Sequence, residues 1–123
     1  MKKIILIFTL LIGTTLFAGH GWQRVNYMQS TIFSAAIFIN DKPASEGDVL
    51  GAFVNDECRM TAKVFMHNDT SFVSSVIHGD TKDTAHFKLW RHKTDSIIET
   101  LDSVQIVPGG SILYHTIHIN TDK

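Results

Sequence analysis

Hydrophobic and polar positions alternate along most of this chain in short runs, each closed by residues that favour turns. The runs are Trp22–Met28, Thr31–Ile39, Val49–Val54, Glu57–Met66, Ser71–His78, Ala85–His92, Ile97–Val107 and Ser111–Ile119. Between them stand "NDKP", "ND", "HNDT", "GDTKD", "KTDS" and "PGG", whose Asn, Asp, Gly and Pro supply the backbone conformations of tight turns. The runs are rich in Val, Ile, Thr and Phe, and none beyond residue 18 keeps a helical period. The pattern predicts an all-β protein, an antiparallel immunoglobulin-like β-sandwich of about seven to nine strands.

The stretch "GDVLGAFVNDECRMTAKVFM", Gly47 to Met66, gives the most detailed expectation. Asn55-Asp56 reads as a two-residue hairpin loop, because Asn and Asp tolerate the left-handed backbone such a loop requires. Regular pairing then sets Val54 against Glu57, Phe53 against Cys58, Ala52 against Arg59 and Gly51 against Met60. Side chains alternate across a strand, so Val49, Gly51 and Phe53 should share an apolar side with Cys58, Met60, Ala62, Val64 and Met66. Cys58 is thereby expected in the core, and Arg59 away from it, toward solvent or an opposing layer. Gly51 would leave room for the long side chain of Met60.

Composition and charge add a compartment. The opening "MKKIILIFTLLIGTTLFAG" has the build of an export leader: Lys2 and Lys3, an apolar run from Ile4 to Ile12, then small residues at Ala18 and Gly19. That run is too short to cross a hydrocarbon layer of ~30 Å as a helix. Residues 1–18 are expected to be a secretory signal, leaving one domain over 19–123 with no membrane span. Its expected location is the periplasm, the cell surface or the extracellular space. A chain of about 105 residues can bury roughly two-thirds of its unfolded surface, enough for one core. Nine basic side chains then face twelve acidic ones, and the basic residues are scattered, which argues against nucleic acid as a partner. The single cysteine, Cys58, can close no internal disulfide and reads as a small buried hydrophobe.

The run "GDVLGAFVNDECRMTA" resembles a motif, GD-x-(V/I)-x-AF-x-x-(D/G)-E-CRG-x-A, of secreted bacterial β-sandwich accessory modules that often precede C-terminal sorting domains. Gly47, Asp48, Ala52, Phe53, Glu57, Cys58, Arg59 and Ala62 match it, while Met60 stands where the family has glycine. "HFKLWRHKTDSIIET" and "VPGGSILYHTIHIN" are similar to later strands of the same modules. The resemblance implies a β-sandwich without an active site, in which Gly47, Asp48, Phe53, Cys58 and Arg59 form a structural motif.

Candidate chemistry is sparse. No G-x-S-x-G, H-E-x-x-H, P-loop or cysteine pair is present, so no catalytic residues are assigned and the chain is not expected to be an enzyme. Among seven histidines, His115 and His118 fall on opposite sides of one strand, and His86 and His92 stand too far apart to chelate together. His20 could take a transition metal adventitiously as a new N-terminus. No cofactor is called for; calcium is the metal the acidic turns would suit, with Asp48, Asp80 and Asp83 as ligands and turn geometry as the competing account. In "AHFKLWRH" alternation puts His86, Lys88, Trp90 and His92 on the outer side of a sheet. Such a tryptophan can stack on a sugar ring, with Trp22 and Tyr27 alongside; alternatively a loop or the N-terminal segment covers it and its indole N–H is satisfied. Thr31–Ile39 and Ser111–Ile119 are apolar on both sides, which points to a central position in the sheet or to a second covered surface. The expected function is therefore an exported, non-catalytic module that binds a protein partner or its own copy in envelope or extracellular assembly. The alternative is a carbohydrate-binding module centred on Trp90.

Overall fold

The computed structural model describes residues 19–121; the expected leader lies outside the described residues. Nine strands follow in order: β1 (Ser30–Ile39), β2 (Lys42–Pro43), β3 (Val49–Val54), β4 (Glu57–Lys63), β5 (Phe65–His67), β6 (Thr70–His78), β7 (Thr84–Arg91), β8 (Ser96–Gln105) and β9 (Ser111–Ile119). One sheet runs β2-β1-β6-β5 with β9 added on β1; the other runs β4-β3-β7-β8. All pairings are antiparallel except β1 with β9, which is parallel. The all-β expectation and the strand number hold. The run Trp22–Met28 is not a strand, and Glu57–Met66 splits at Val64 into β4 and β5, which belong to different sheets. Among the described residues no helix is long and apolar enough to cross a membrane.

Three of the connections use the same dipeptide. Asn40-Asp41, Asn55-Asp56 and Asn68-Asp69 all have positive φ at both residues, between 50° and 69°. That backbone carries the right-handed twist of the flanking strands through a two-residue loop. The core lies between the sheets: Phe33, Ile37, Val73, Ile77 and Ile117 from one side meet Leu50, Ala52, Met60, Phe87 and Leu89 from the other. Phe33 and Phe87 stack across the interface with ring centres 5.3 Å apart.

Three bulges decide which side chains reach that core. In the β3–β4 hairpin, Val54 pairs with Glu57 and Phe53 with Cys58 as expected, but Ala52 then pairs with Met60. Arg59 is the extra residue, and from there the expected register is corrected by one. Leu50, Ala52 and Val54 therefore join Met60, Ala62 and Val64 in the core, while Phe53 and Cys58 turn to the outer side of the sheet. Cys58 is buried, though beneath the N-terminal segment, whose Val25 N–H donates to the Cys58 carbonyl at 2.9 Å. Arg59 is only 6% exposed and reaches the opposing layer, not solvent. Gly51 accommodates Trp22 and not Met60: a Cβ there would meet the Phe53 ring at 2.7 Å and the Trp22 ring at 2.9 Å. Met66, expected inside, is exposed on the short edge strand.

The second bulge lies between β7 and β8, where Thr100 Oγ1 donates to the Phe87 carbonyl and Leu101 protrudes into solvent. The third lies between β1 and β9, where Phe33 pairs with Ile112 and Ala35 with His115. Tyr114 in this bulge has φ 59°, and its N–H donates to Ser34 Oγ at 3.0 Å. Ile112, not Leu113, consequently packs against the core on the side of Ile117 and Ile119.

Candidate functional site

The residues singled out in the sequence occupy three places. Gly47 and Asp48 anchor one end of the four-stranded sheet. Gly47 has φ +98°, and a side chain on it would come within 3.2 Å of the His92 ring, so both conformation and space require glycine. The Asp48 carboxylate is buried and accepts N–H bonds from Ser45 and His92, each at 3.1 Å, with Arg91 Nε 3.4 Å away. Arg91 Nε has no aligned hydrogen bond, so its contact with Asp48 is one of charge. A buried carboxylate with two N–H donors and a guanidinium beside it is compensated by the protein itself.

The aspartates weighed for calcium do not share one place. Asp80 and Asp83 lie at the opposite end, beyond the start of β7. Asp80 Oδ1 accepts the Gln29 N–H at 2.8 Å, and Asp83 Oδ2 accepts the Thr81 hydroxyl at 2.7 Å. With ~3.3 Å per residue, the length of β7 puts them roughly 20 Å from Asp48. Among the described residues no three His, Cys, Asp or Glu side chains gather as a metal site.

Arg59 joins the two sheets. Its Nε donates to Glu57 Oε1 at 2.7 Å, and its Nη1 reaches the His78 carbonyl on β6 at 3.1 Å. The Tyr27 ring covers the guanidinium at 4.2 Å, and the Tyr27 hydroxyl donates to Glu57. Hydrogen bonding from Tyr27, then from Arg59, holds the Glu57 carboxyl below its ordinary range, and that bond to Glu57 raises the Tyr27 hydroxyl. Burial pushes the Cys58 thiol up.

The third place is the outer side of β3 and β7. Trp22 and Trp90 are brought together there through His20, which stacks on Trp22 at 4.7 Å and meets Trp90 edge-on at 5.6 Å. Trp90 is partly covered by this segment, and its indole N–H donates to Asp95 Oδ1 at 2.8 Å. That is the covered arrangement weighed above, with a carboxylate as partner. His20 Nδ1 accepts the Trp22 N–H, and burial lowers the histidine's pKa. His86 and Lys88 lie apart from the tryptophans, in a shallow cleft of about 240 Å³ beside Phe53 and Glu99. Tyr27 belongs to the Arg59 cluster and does not extend the pair.

One apolar surface was not singled out residue by residue. On the outer side of the five-stranded sheet a groove of about 320 Å³ runs over Ser34, Ala36 and Ser74, between Phe65 and Phe72 on one side and Tyr114 and Thr116 on the other. Small side chains make its floor and aromatic rings its walls. Around it Tyr114 is 88% exposed, Ile32 55%, Leu113 50% and Phe65 43%. The signal available in sequence was the two-sided apolarity of β1 and β9. What it lacked was the bulge that lifts Tyr114 out, and the β5–β6 pairing that sets Phe65 beside Phe72.

Comparison with known proteins finds no matching family model, no matching curated protein and no matching solved structure.

Proposed function

We propose that this chain is a non-catalytic binding module of the cell envelope or extracellular space that engages a protein partner through the outer side of its five-stranded sheet. One observation carries the reading. The outward positions of β1, β5, β6 and β9 hold Ile32, Phe38, Phe65, Phe72, Val76, Leu113 and Tyr114 with Ser, Thr, Ala and His between them, and no Asp, Glu, Lys or Arg. Exposed apolar surface of this extent on a small domain marks an interaction site. The titratable groups elsewhere support a non-catalytic role, because Asp48, Glu57 and Arg59 are committed to structural partners. The leader-like residues 1–18 support export, and the accessory-module motif fits the same reading.

Site-specific photo-crosslinking in the source cells tests it. A photoreactive residue at Ser74 should give a discrete adduct, and one at Lys93, by the opposite sheet, should not. Equal yields at the two positions would remove the reading.

A second reading, glycan binding on the opposite sheet, is supported by the Trp22–His20–Trp90 aromatic group on its outer side, with the His86 and Lys88 cleft as a separate polar place on the same sheet. Here Trp90→Ala should abolish retention on polysaccharide with the thermal midpoint unchanged. Loss of retention that merely tracks loss of fold would dismiss it.

A further inference from the structure

We propose that the occupant of the uncharged sheet face is a second copy of this chain, packed face to face about a twofold axis; this rests on that face being the binding surface. A twofold contact is isologous, so every patch near the axis meets itself. An ionised side chain on the axis itself would confront its own like charge, and one off it would need an opposite charge at the position it meets. Outward positions on β1, β5, β6 and β9 avoid this entirely, although Lys, Arg, Asp and Glu are frequent in the chain. A partner recognised by charge would find nothing to pair with.

The same face also carries both halves of a shape-complementary contact. Tyr114 stands out as an exposed knob, and beside it the groove over Ser34, Ala36 and Ser74 is open. Because both features belong to one surface, two copies related by a twofold axis can exchange them: each Tyr114 enters the other's groove.

The conformation of Tyr114 points the same way. A tyrosine at φ 59° sits in the left-handed region that disfavours bulky residues, yet its side chain makes no buried contact within its own protomer. Strain of this kind accompanies function where the surroundings hold it in place, here through the bond from the Tyr114 N–H to Ser34 Oγ. Size is adequate as well. Ten residues at ~3.3 Å and three to four strands at ~4.8 Å give roughly 33 by 16 Å, on the order of 500 Å² per copy. Twice that area reaches the ~1,000 Å² expected of a specific interface.

Sedimentation equilibrium of the purified chain from micromolar to submillimolar concentration is the test. The wild type should be a dimer. Ala36→Arg, which puts like charges into the groove, and Tyr114→Gly, which removes the knob, should each weaken association at least tenfold. Circular dichroism should stay native in both, and Tyr114→Gly relieves the left-handed strain, so loss of fold cannot imitate its effect. A wild-type monomer throughout, or a dimer indifferent to both substitutions, overturns self-association. Anilinonaphthalene sulfonate then separates the two proposals. If the monomer binds the dye and Ala36→Arg abolishes that binding, the face remains a binding surface for another partner. If the dye does not distinguish them, both proposals fall.

Discussion

The Trp22 indole lies against the backbone of Gly51, so closely that a Cβ at residue 51 would stand 2.9 Å from the ring. Trp22 also meets Phe53 edge-on at 5.1 Å, and this contact closes the N-terminal segment over the outer side of β3. Gly51→Ala should therefore destabilise the domain by about 1–3 kcal/mol through overpacking. In a Trp22→Ala background the same change should cost at least ~1 kcal/mol less, as coupled neighbours do. Thermal unfolding of the four proteins in this cycle measures the coupling; strict additivity would show that the indole does not rest on Gly51.

Arg59 is the residue of its hairpin that the bulge turns toward the other sheet, where it donates to the His78 carbonyl. Arg59→Ala leaves that carbonyl without its donor and Glu57 with the Tyr27 hydroxyl but no guanidinium, at an expected cost of about 2–3 kcal/mol. In a domain of this size the midpoint should fall by roughly 10 °C. Arg59→Lys should recover less than half, since an ammonium cannot serve both acceptors with a planar fork. A midpoint within a degree or two of wild type for Arg59→Ala would remove Arg59 as a link between sheets.

The dependence of stability on pH follows from the same region. The Cys58 thiol is raised above its ordinary 9.0 by burial, and the Tyr27 hydroxyl is raised above 10.0 by its bond to Glu57. Both lose protons more readily in the unfolded chain. Their stabilisation is complete below those ordinary values and disappears as pH rises through the folded ones. Glu57 is held below its ordinary 4.5, so its contribution is complete above that value and is lost as pH falls through the folded one. Denaturant midpoints should be level between about pH 7 and 8 and decline on the alkaline flank. On the acid side they decline first below 6.5, where the unfolded chain takes up the His20 proton more readily than the folded one, and then through the Glu57 range. Cys58→Ala should flatten the alkaline flank. In the native protein near neutral pH, the thiol should react with a disulfide reagent orders of magnitude more slowly than after unfolding in urea. Equal rates would mean that the N-terminal segment does not cover it.

The three Asn-Asp turns give a stabilising substitution. Asp56 has φ 69°, a conformation glycine adopts without a Cβ clash. Asp56→Gly should raise stability by about 0.5 kcal/mol, seen as a midpoint a few degrees higher. A lowered midpoint would indicate that the Asp56 side chain contributes more than the strain it carries.

Sequence by itself determined most of the strands and turns of this protein, though not the fate of Trp22–Met28 or the break at Val64. Alternation marked Val49–Val54 and Ser111–Ile119 at their observed bounds, and each Asn-Asp pair became a two-residue loop. These are local properties: a period of two, and a dipeptide that tolerates positive φ. Only the tertiary structure decided which side each residue faces, because one inserted residue inverts everything beyond it. Nothing within "DECRMTA" shows that Arg59 is the inserted residue. It occupies that position because its guanidinium finds the His78 carbonyl nineteen residues away, and Phe53 and Cys58 are covered by a segment more than thirty residues upstream. Asp48 was legible as a structural carboxylate from its motif, but its separation from Asp80 and Asp83 needed the length of β7 between them. Tyr114 looked like one more alternating residue until the pairing of β1 with β9 required a bulge there. Strand formation is settled by neighbours in sequence, whereas bulges, burial and the open groove are settled by partners that only the folded chain brings together.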